Sequence, residues 1–118
     1  MKYRACCLLD QSDKLTEIEG LFKGHDCEIE VDNCRDASEF ESKGSENEYD
    51  LFIVDSDIAL APLTKIREDV KNVNIHAGVL SLKEGLRPTP VLLRNWQEVE
   101  SVTSHDSWDR IKRLLLFR

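Results

Sequence analysis

The chain has 118 residues, the length of one ordinary domain, and is long enough to bury a core without disulfide or metal staples. Its 41% hydrophobic and 33% charged residues are globular values and exclude wholesale disorder. Asp and Glu outnumber Lys and Arg by 23 to 16, a net charge of −7, which argues against a nucleic-acid coat or an anionic-membrane binder because both need a positive field.

The first segment, Tyr3-Arg4-Ala5-Cys6-Cys7-Leu8-Leu9, is a nearly continuous apolar run that stops at Asp10, the pattern of a parallel strand covered on both faces. Gln11-Ser12-Asp13 then offers caps for a helix in which Leu15, Ile18, Leu21 and Phe22 recur at helical spacing, with Gly24 placed to close it in a left-handed conformation. Cys27, Ile29 and Val31 alternate with Glu28, Glu30 and Asp32, as in a half-exposed edge strand. From Asn33 to Glu48 the signal is weak: Ala37 and Phe40 anchor a short helix, and Lys43–Glu48 reads as a solvated loop.

Asp50-Leu51-Phe52-Ile53-Val54-Asp55 is a second buried strand ending in an acid, followed by an amphipathic helix on Leu60, Leu63, Ile66 (or Arg67) and Val70. Ile75–Leu82 is the third buried strand and Val91-Leu92-Leu93 the fourth of this type, separated by Pro88 and Pro90. An alternative register instead makes Pro90–Asn95 the fourth strand and Glu100–Thr103 the fifth. Ser104 caps a last helix whose Trp108, Ile111, Leu114 and Leu115 share a face. Its Arg110, Lys112, Arg113 and Arg118 make a basic tract that suits a solvated helix C-terminus. The alternation predicts one α/β domain over residues 1–118, a doubly wound, mostly parallel five-stranded sheet with helices on both faces. No apolar run reaches the length of a membrane span and the first residues lead straight into a strand, so a cytoplasmic protein is expected.

Ligands of such folds bind beyond the carboxyl ends of the strands. Asp10, Asp55 and Ser81 end three of the buried strands, and Asp57 lies in the adjoining loop. Carboxylates gathered at one rim need a cation or proton between them, and hard oxygen donors favour Mg²⁺ or Ca²⁺. The plainer reading of Asp10 and Asp55 is as caps of the following helices. The turn Asp10-Gln11-Ser12-Asp13 has no glycine, so a phosphate-cradling nucleotide loop is not expected. Adjacent Cys6 and Cys7 point to opposite faces of a strand and chelate poorly; with Cys27 and Cys34 they read as small hydrophobes rather than a zinc site or disulfide. His25, His76 and His105 are scattered, and Trp96 and Trp108 read as packing residues.

Cys7-Leu8-Leu9-Asp10-Gln11, Tyr49-Asp50-Leu51-Phe52-Ile53-Val54-Asp55 and Val79-Leu80-Ser81 together resemble the receiver domain of two-component response regulators, as does the 45-residue separation of Asp10 from Asp55. The resemblance implies Asp55 as the acceptor of a phosphoryl group from a histidine kinase, with Mg²⁺ bridging acids and phosphate. It further implies Asp10, Asp55 and Asp57 on the metal, Ser81 as the hydroxyl that senses the phosphoryl group, and Arg94 where the family keeps a lysine. The chain departs from that pattern. Gln11 replaces the family's second acid, Asn95 stands where a proline follows the lysine, and Ser81 to Arg94 is too short for a full fourth helix with its loops. A degenerate or pseudo-receiver is therefore expected, a signalling module rather than an enzyme, working through protein–protein contact or self-association on its final helix and neighbouring strand.

Asp10, Asp36, Asp55 and Asp57 also resemble the strand-end acids of small PIN-like nucleases, which would bind Mg²⁺ or Mn²⁺ and activate water against RNA. The acidic net charge and the lack of a basic groove weigh against that reading and against nucleic acid as a partner. A doubly wound domain that only scaffolds a larger assembly is the third possibility.

Overall fold

A computed structural model describes residues 1–10, 13–69, 71–74 and 76–116. Five strands form one parallel sheet in the order β2-β1-β3-β4-β5: β1 Lys2–Leu8, β2 Glu28–Asn33, β3 Leu51–Val54, β4 Gly78–Ser81 and β5 Trp96–Glu98. Helices α1 Asp13–Gly24, α2 Ala37–Glu46, α3 Leu60–Glu68 and α4 Ser107–Leu116 connect and cover them. This is the expected doubly wound architecture, with order reversing between β1 and β3. Gln11 and Ser12 of the expected cap, Val70, Ile75 and Arg118 lie outside the described residues.

Alternation along the strands divides the core in two. Cys6, Leu8, Phe52, Val54 and Val79 join Phe40 of α2 and Leu63 and Ile66 of α3 on one face. Ala5, Cys7, Leu51, Ile53 and Leu80 join Ile18 and Phe22 of α1 and Ile111 and Leu114 of α4 on the other. Because β1, β3 and β4 are covered on both sides, every residue of β3 and β4 is buried, which is why those segments read as unbroken apolar runs. Edge strand β2 is only half-buried and alternates. Gly78 opens β4 against α4, where a Cβ would fall 2.7 Å from Leu114 Cβ, so a side chain has no room there.

Several elements differ from expectation. Residues 43–46, read as loop, belong to α2: Asp36 caps that helix by accepting from the Glu39 amide at 2.8 Å, and Gly44 is buried against Phe52 and Ile66. The left-handed residue after α1 is Asp26 (φ 59°), not Gly24. Val91-Leu92-Leu93 is no strand. Pro90 starts a 3₁₀ helix, Pro90–Asn95, in which only Leu92 is fully buried. The fifth strand is Trp96–Glu98, so neither Pro90–Asn95 nor Glu100–Thr103 supplies one. Helix α4 begins at Ser107, whose amide donates to the Ser104 carbonyl in a preceding turn.

The buried titratable groups set an alkaline limit on stability. Cys6 lies with its sulfur 3.7 Å from that of Cys34; their hydrogen bond raises the Cys6 thiol and lowers that of Cys34, while burial raises both. Burial raises Cys7, and burial with the hydrogen bond donated to Asp32 raises Tyr49. Groups whose folded values lie above their unfolded ones contribute stability that is complete below the unfolded value and lost as pH climbs towards the folded one. The urea midpoint should therefore stay level from neutrality to about pH 8 and fall from about pH 8.5–10, the ordinary thiol and phenol range. A midpoint that rises over that window contradicts the packing of these three side chains.

Candidate functional site

The carboxyl ends of the strands finish level. Leu8 pairs with Val54, Val54 with Ser81 and Ser81 with Glu98, so the residues that follow β1, β3 and β4 share one rim. Asp55 follows β3 directly and its side chain is only 1% exposed. A carboxylate so far from water must find donors. The Asp10 amide donates to both its oxygens at 3.0 Å, and Lys14 Nζ lies 2.9 Å from Oδ2. The two aspartates expected to meet do meet, but through the backbone N–H of Asp10, whose own side chain is exposed.

Lys14 belongs to no motif of the sequence, yet a signal for it exists. It occupies the first turn of α1, where the helix dipole disfavours a cation. A lysine there, next to the turn that follows an acid-ended strand, needs a carboxylate to face, and Asp55 is that carboxylate.

The other predicted site residues are placed as follows. Ser81 is fully buried at the end of β4, its hydroxyl donating to the Lys83 carbonyl at 2.7 Å and accepting from the Lys83 amide at 3.2 Å. That hydroxyl is spent on its own turn. Asp57 is exposed, opening the short 3₁₀ turn Asp57–Ala59 that Ser56 caps. Arg94 is not brought to the rim. It precedes β5, and because Trp96 pairs with Val79 near the start of β4, Arg94 lies at the amino edge of the sheet. There it depresses the neighbouring Arg67 guanidinium, whose larger perturbation is burial. The length of β4, at ~3.3 Å per residue, separates that edge from the rim. At the carboxyl end of β5 stands Glu98, so no basic residue from this strand reaches Asp55. Asp36 is occupied as the cap of α2, and no group of three His, Cys, Asp or Glu side chains able to hold a metal forms among the described residues. The acid cluster of the nuclease resemblance is therefore not assembled there.

No family model matches the sequence, and a search of curated proteins finds no relative. Solved structures do match. A chain of the crystal structure of histidine kinase ThkA in complex with response regulator protein TrrA superposes with a TM-score of 0.67 at 20% identity, over 98% of this chain and 99% of that one. The N-terminal domain of a response regulator/sensory box/GGDEF three-domain protein from Carboxydothermus hydrogenoformans superposes at 0.60 and 11% identity, over 96% of this chain and 94% of that one. The chain thus has the receiver-like, flavodoxin-type α/β fold over essentially its whole length.

Receiver domains commonly carry Mg²⁺, and the residues here do not fit that ion. Magnesium demands near-octahedral oxygen donors at about 2.0–2.1 Å. The oxygens of Asp55 are already held by an amide and an ammonium, residue 11 is a neutral Gln, and Asp10, Asp55 and Asp57 are not gathered into a ligand set. No chemical step is assigned to a metal in this chain.

Proposed function

We propose that the chain is a degenerate receiver, a response-regulator-like signalling module that works by protein contact rather than by regulated phosphotransfer. The observation that carries this reading is Asp55. It follows β3 at the position to which the receiver resemblance assigns the acceptor, yet its side chain is 1% exposed and both oxygens are engaged from within. A carboxylate nucleophile needs a free oxygen and a stabilised approach for the incoming phosphoryl group. Ser81, the sensing hydroxyl of the resemblance, is held by Lys83, and Arg94 lies at the far edge, which supports the same reading.

Surface features support contact through the final helix and its strand. Strand β5 is the sheet's terminal strand and has an unpaired outer edge, a ready template for association. Leu116 of α4 is among the most exposed large apolar side chains. Between β4 and β5 the chain runs through a turn at Gly85 and the 3₁₀ helix instead of an α-helix, so the surface beside β5 differs from a receiver with a full fourth helix. One structural neighbour was solved as a complex of a histidine kinase with a response regulator, which supports a protein as the class of partner. That reading calls for no membrane, and no described helix is long and apolar enough to cross one.

Incubation with Mg²⁺ and acetyl phosphate should leave the intact mass unchanged. A phosphoryl adduct that disappears in Asp55→Asn would overturn the proposal.

A further inference from the structure

The rim that would need a divalent cation in a phosphorylatable receiver already contains a positive charge, and the chain itself supplies it. Lys14 sits in the first turn of α1, at the positive end of the helix dipole, where a cation is disfavoured unless an anion faces it. It is drawn in until 27% of its side chain remains exposed, with Nζ 2.9 Å from Oδ2 of an Asp55 that is 1% exposed. The Asp10 amide completes the environment by bridging both oxygens. Asp10, just after β1, thus contributes an amide and Lys14, in the first turn of α1, an ammonium, both aimed at one carboxylate. An ion approaching Oδ2 must displace the ammonium, and no group of three His, Cys, Asp or Glu side chains able to hold it forms among the described residues.

We propose that Lys14 is the resident counter-ion of this rim: a tethered ammonium that neutralises Asp55 in place of a divalent metal. The module therefore holds one charge state with or without Mg²⁺. This rests on the receiver-like reading for the expectation of a cation at Asp55. It adds that the positive charge facing Asp55 comes from the chain itself, and that Lys14 is the side chain that keeps a cation from Oδ2.

The test uses the full chain with Mg²⁺ and with Mn²⁺ as its paramagnetic stand-in, and no phosphodonor. In the unaltered protein the Asp10 amide resonance should not move on titration with millimolar Mg²⁺, nor be broadened selectively by Mn²⁺. In Lys14→Gln the same amide should respond, with Mn²⁺ affinity at the rim gained by about tenfold or more, since removal of a unit charge beside a divalent ion is worth at least that at close range. Lys14→Arg keeps the charge and should behave as the unaltered chain. Metal binding at Asp55 in the unaltered protein, or no gain in folded Lys14→Gln, would overturn the inference. If Lys14→Gln does not fold, the unaltered-chain titration still decides. A chain that binds Mg²⁺ at Asp55 yet accepts no phosphoryl group defeats this inference and leaves the contact-module reading standing; phosphoryl acceptance at Asp55 defeats that reading.

Discussion

Phe52→Ala should lower the free energy of unfolding by about 3–5 kcal/mol, the cost of emptying a buried aromatic site that cannot fully collapse. Phe52 lies on β3, the central strand, and is 1% exposed. Its ring meets Phe40 edge-on at 5.7 Å and Tyr49 at 5.8 Å, and it fills the space that Gly44 leaves on α2. One side chain therefore ties the sheet to α2 and to the segment entering β3. Alanine would leave Phe40 and Tyr49 facing a void, and neither backbone can close it without moving a strand paired on both sides. With domain stabilities of about 5–15 kcal/mol, the loss is a large share of the total and should lower the melting temperature by roughly 10–20 °C. Urea unfolding should show a lower midpoint with an unchanged slope. Leu93→Ala, at a side chain 59% exposed, should stay within about 0.5 kcal/mol. A cost for Phe52→Ala below that of Leu93→Ala would contradict the packing described.

What the sequence makes legible is what burial writes into it. Strands β1, β3 and β4 are covered on both faces, so their apolar runs and acid or hydroxyl ends announce both the element and its position. Cys6 and Cys7 fall on opposite faces as a period of two demands. Strand β5 is a different case. Trp96, Gln97 and Glu98 are all half-buried at an edge, so the segment has no apolar run, and its identity lies in the ladder to Val79, Leu80 and Ser81. The more hydrophobic Val91-Leu92-Leu93 draws attention away from it, although a 3₁₀ turn with one buried leucine needs no strand. Helix α2 runs through Gly44-Ser45, a pair that weakens a helix in isolation, because Gly44 lets the helix approach Phe52 and Ile66 closely. Tertiary packing overrides local propensity there.

At the rim, the spacing of Asp10 and Asp55 brings the two positions together, but spacing carries no information about which atoms meet. The Asp10 contact is made by its amide, a group every residue but proline possesses. Arg94 is tied to the site by the receiver resemblance, with Val91-Leu92-Leu93 as the strand before it, and it lies at the opposite edge because the fifth strand is Trp96–Glu98. Lys14 carries no motif; only its conflict with the dipole of its own helix marks it.

Substitutions in the Lys14–Asp55 pair should be strongly asymmetric. Lys14→Met should cost about 2–3 kcal/mol at neutral pH, below the ~3–5 of a fully buried pair because Lys14 is partly solvated. Its loss leaves the Asp55 carboxylate, 1% exposed, with the Asp10 amide as its remaining partner among the described residues to offset a full charge. Asp55→Asn should cost no more than about 1 kcal/mol, since the side-chain oxygen can still accept from the Asp10 amide while the freed ammonium turns to water. Combining the two should then recover stability relative to Lys14→Met alone, because the charge that lacked a partner is gone. Urea midpoints for both single variants and the double variant give the coupling directly. If Asp55→Asn is the more damaging single change, or the double variant is no more stable than Lys14→Met, the ammonium does not neutralise Asp55. Among the described residues the Asp10 amide would then be what holds the carboxylate inside.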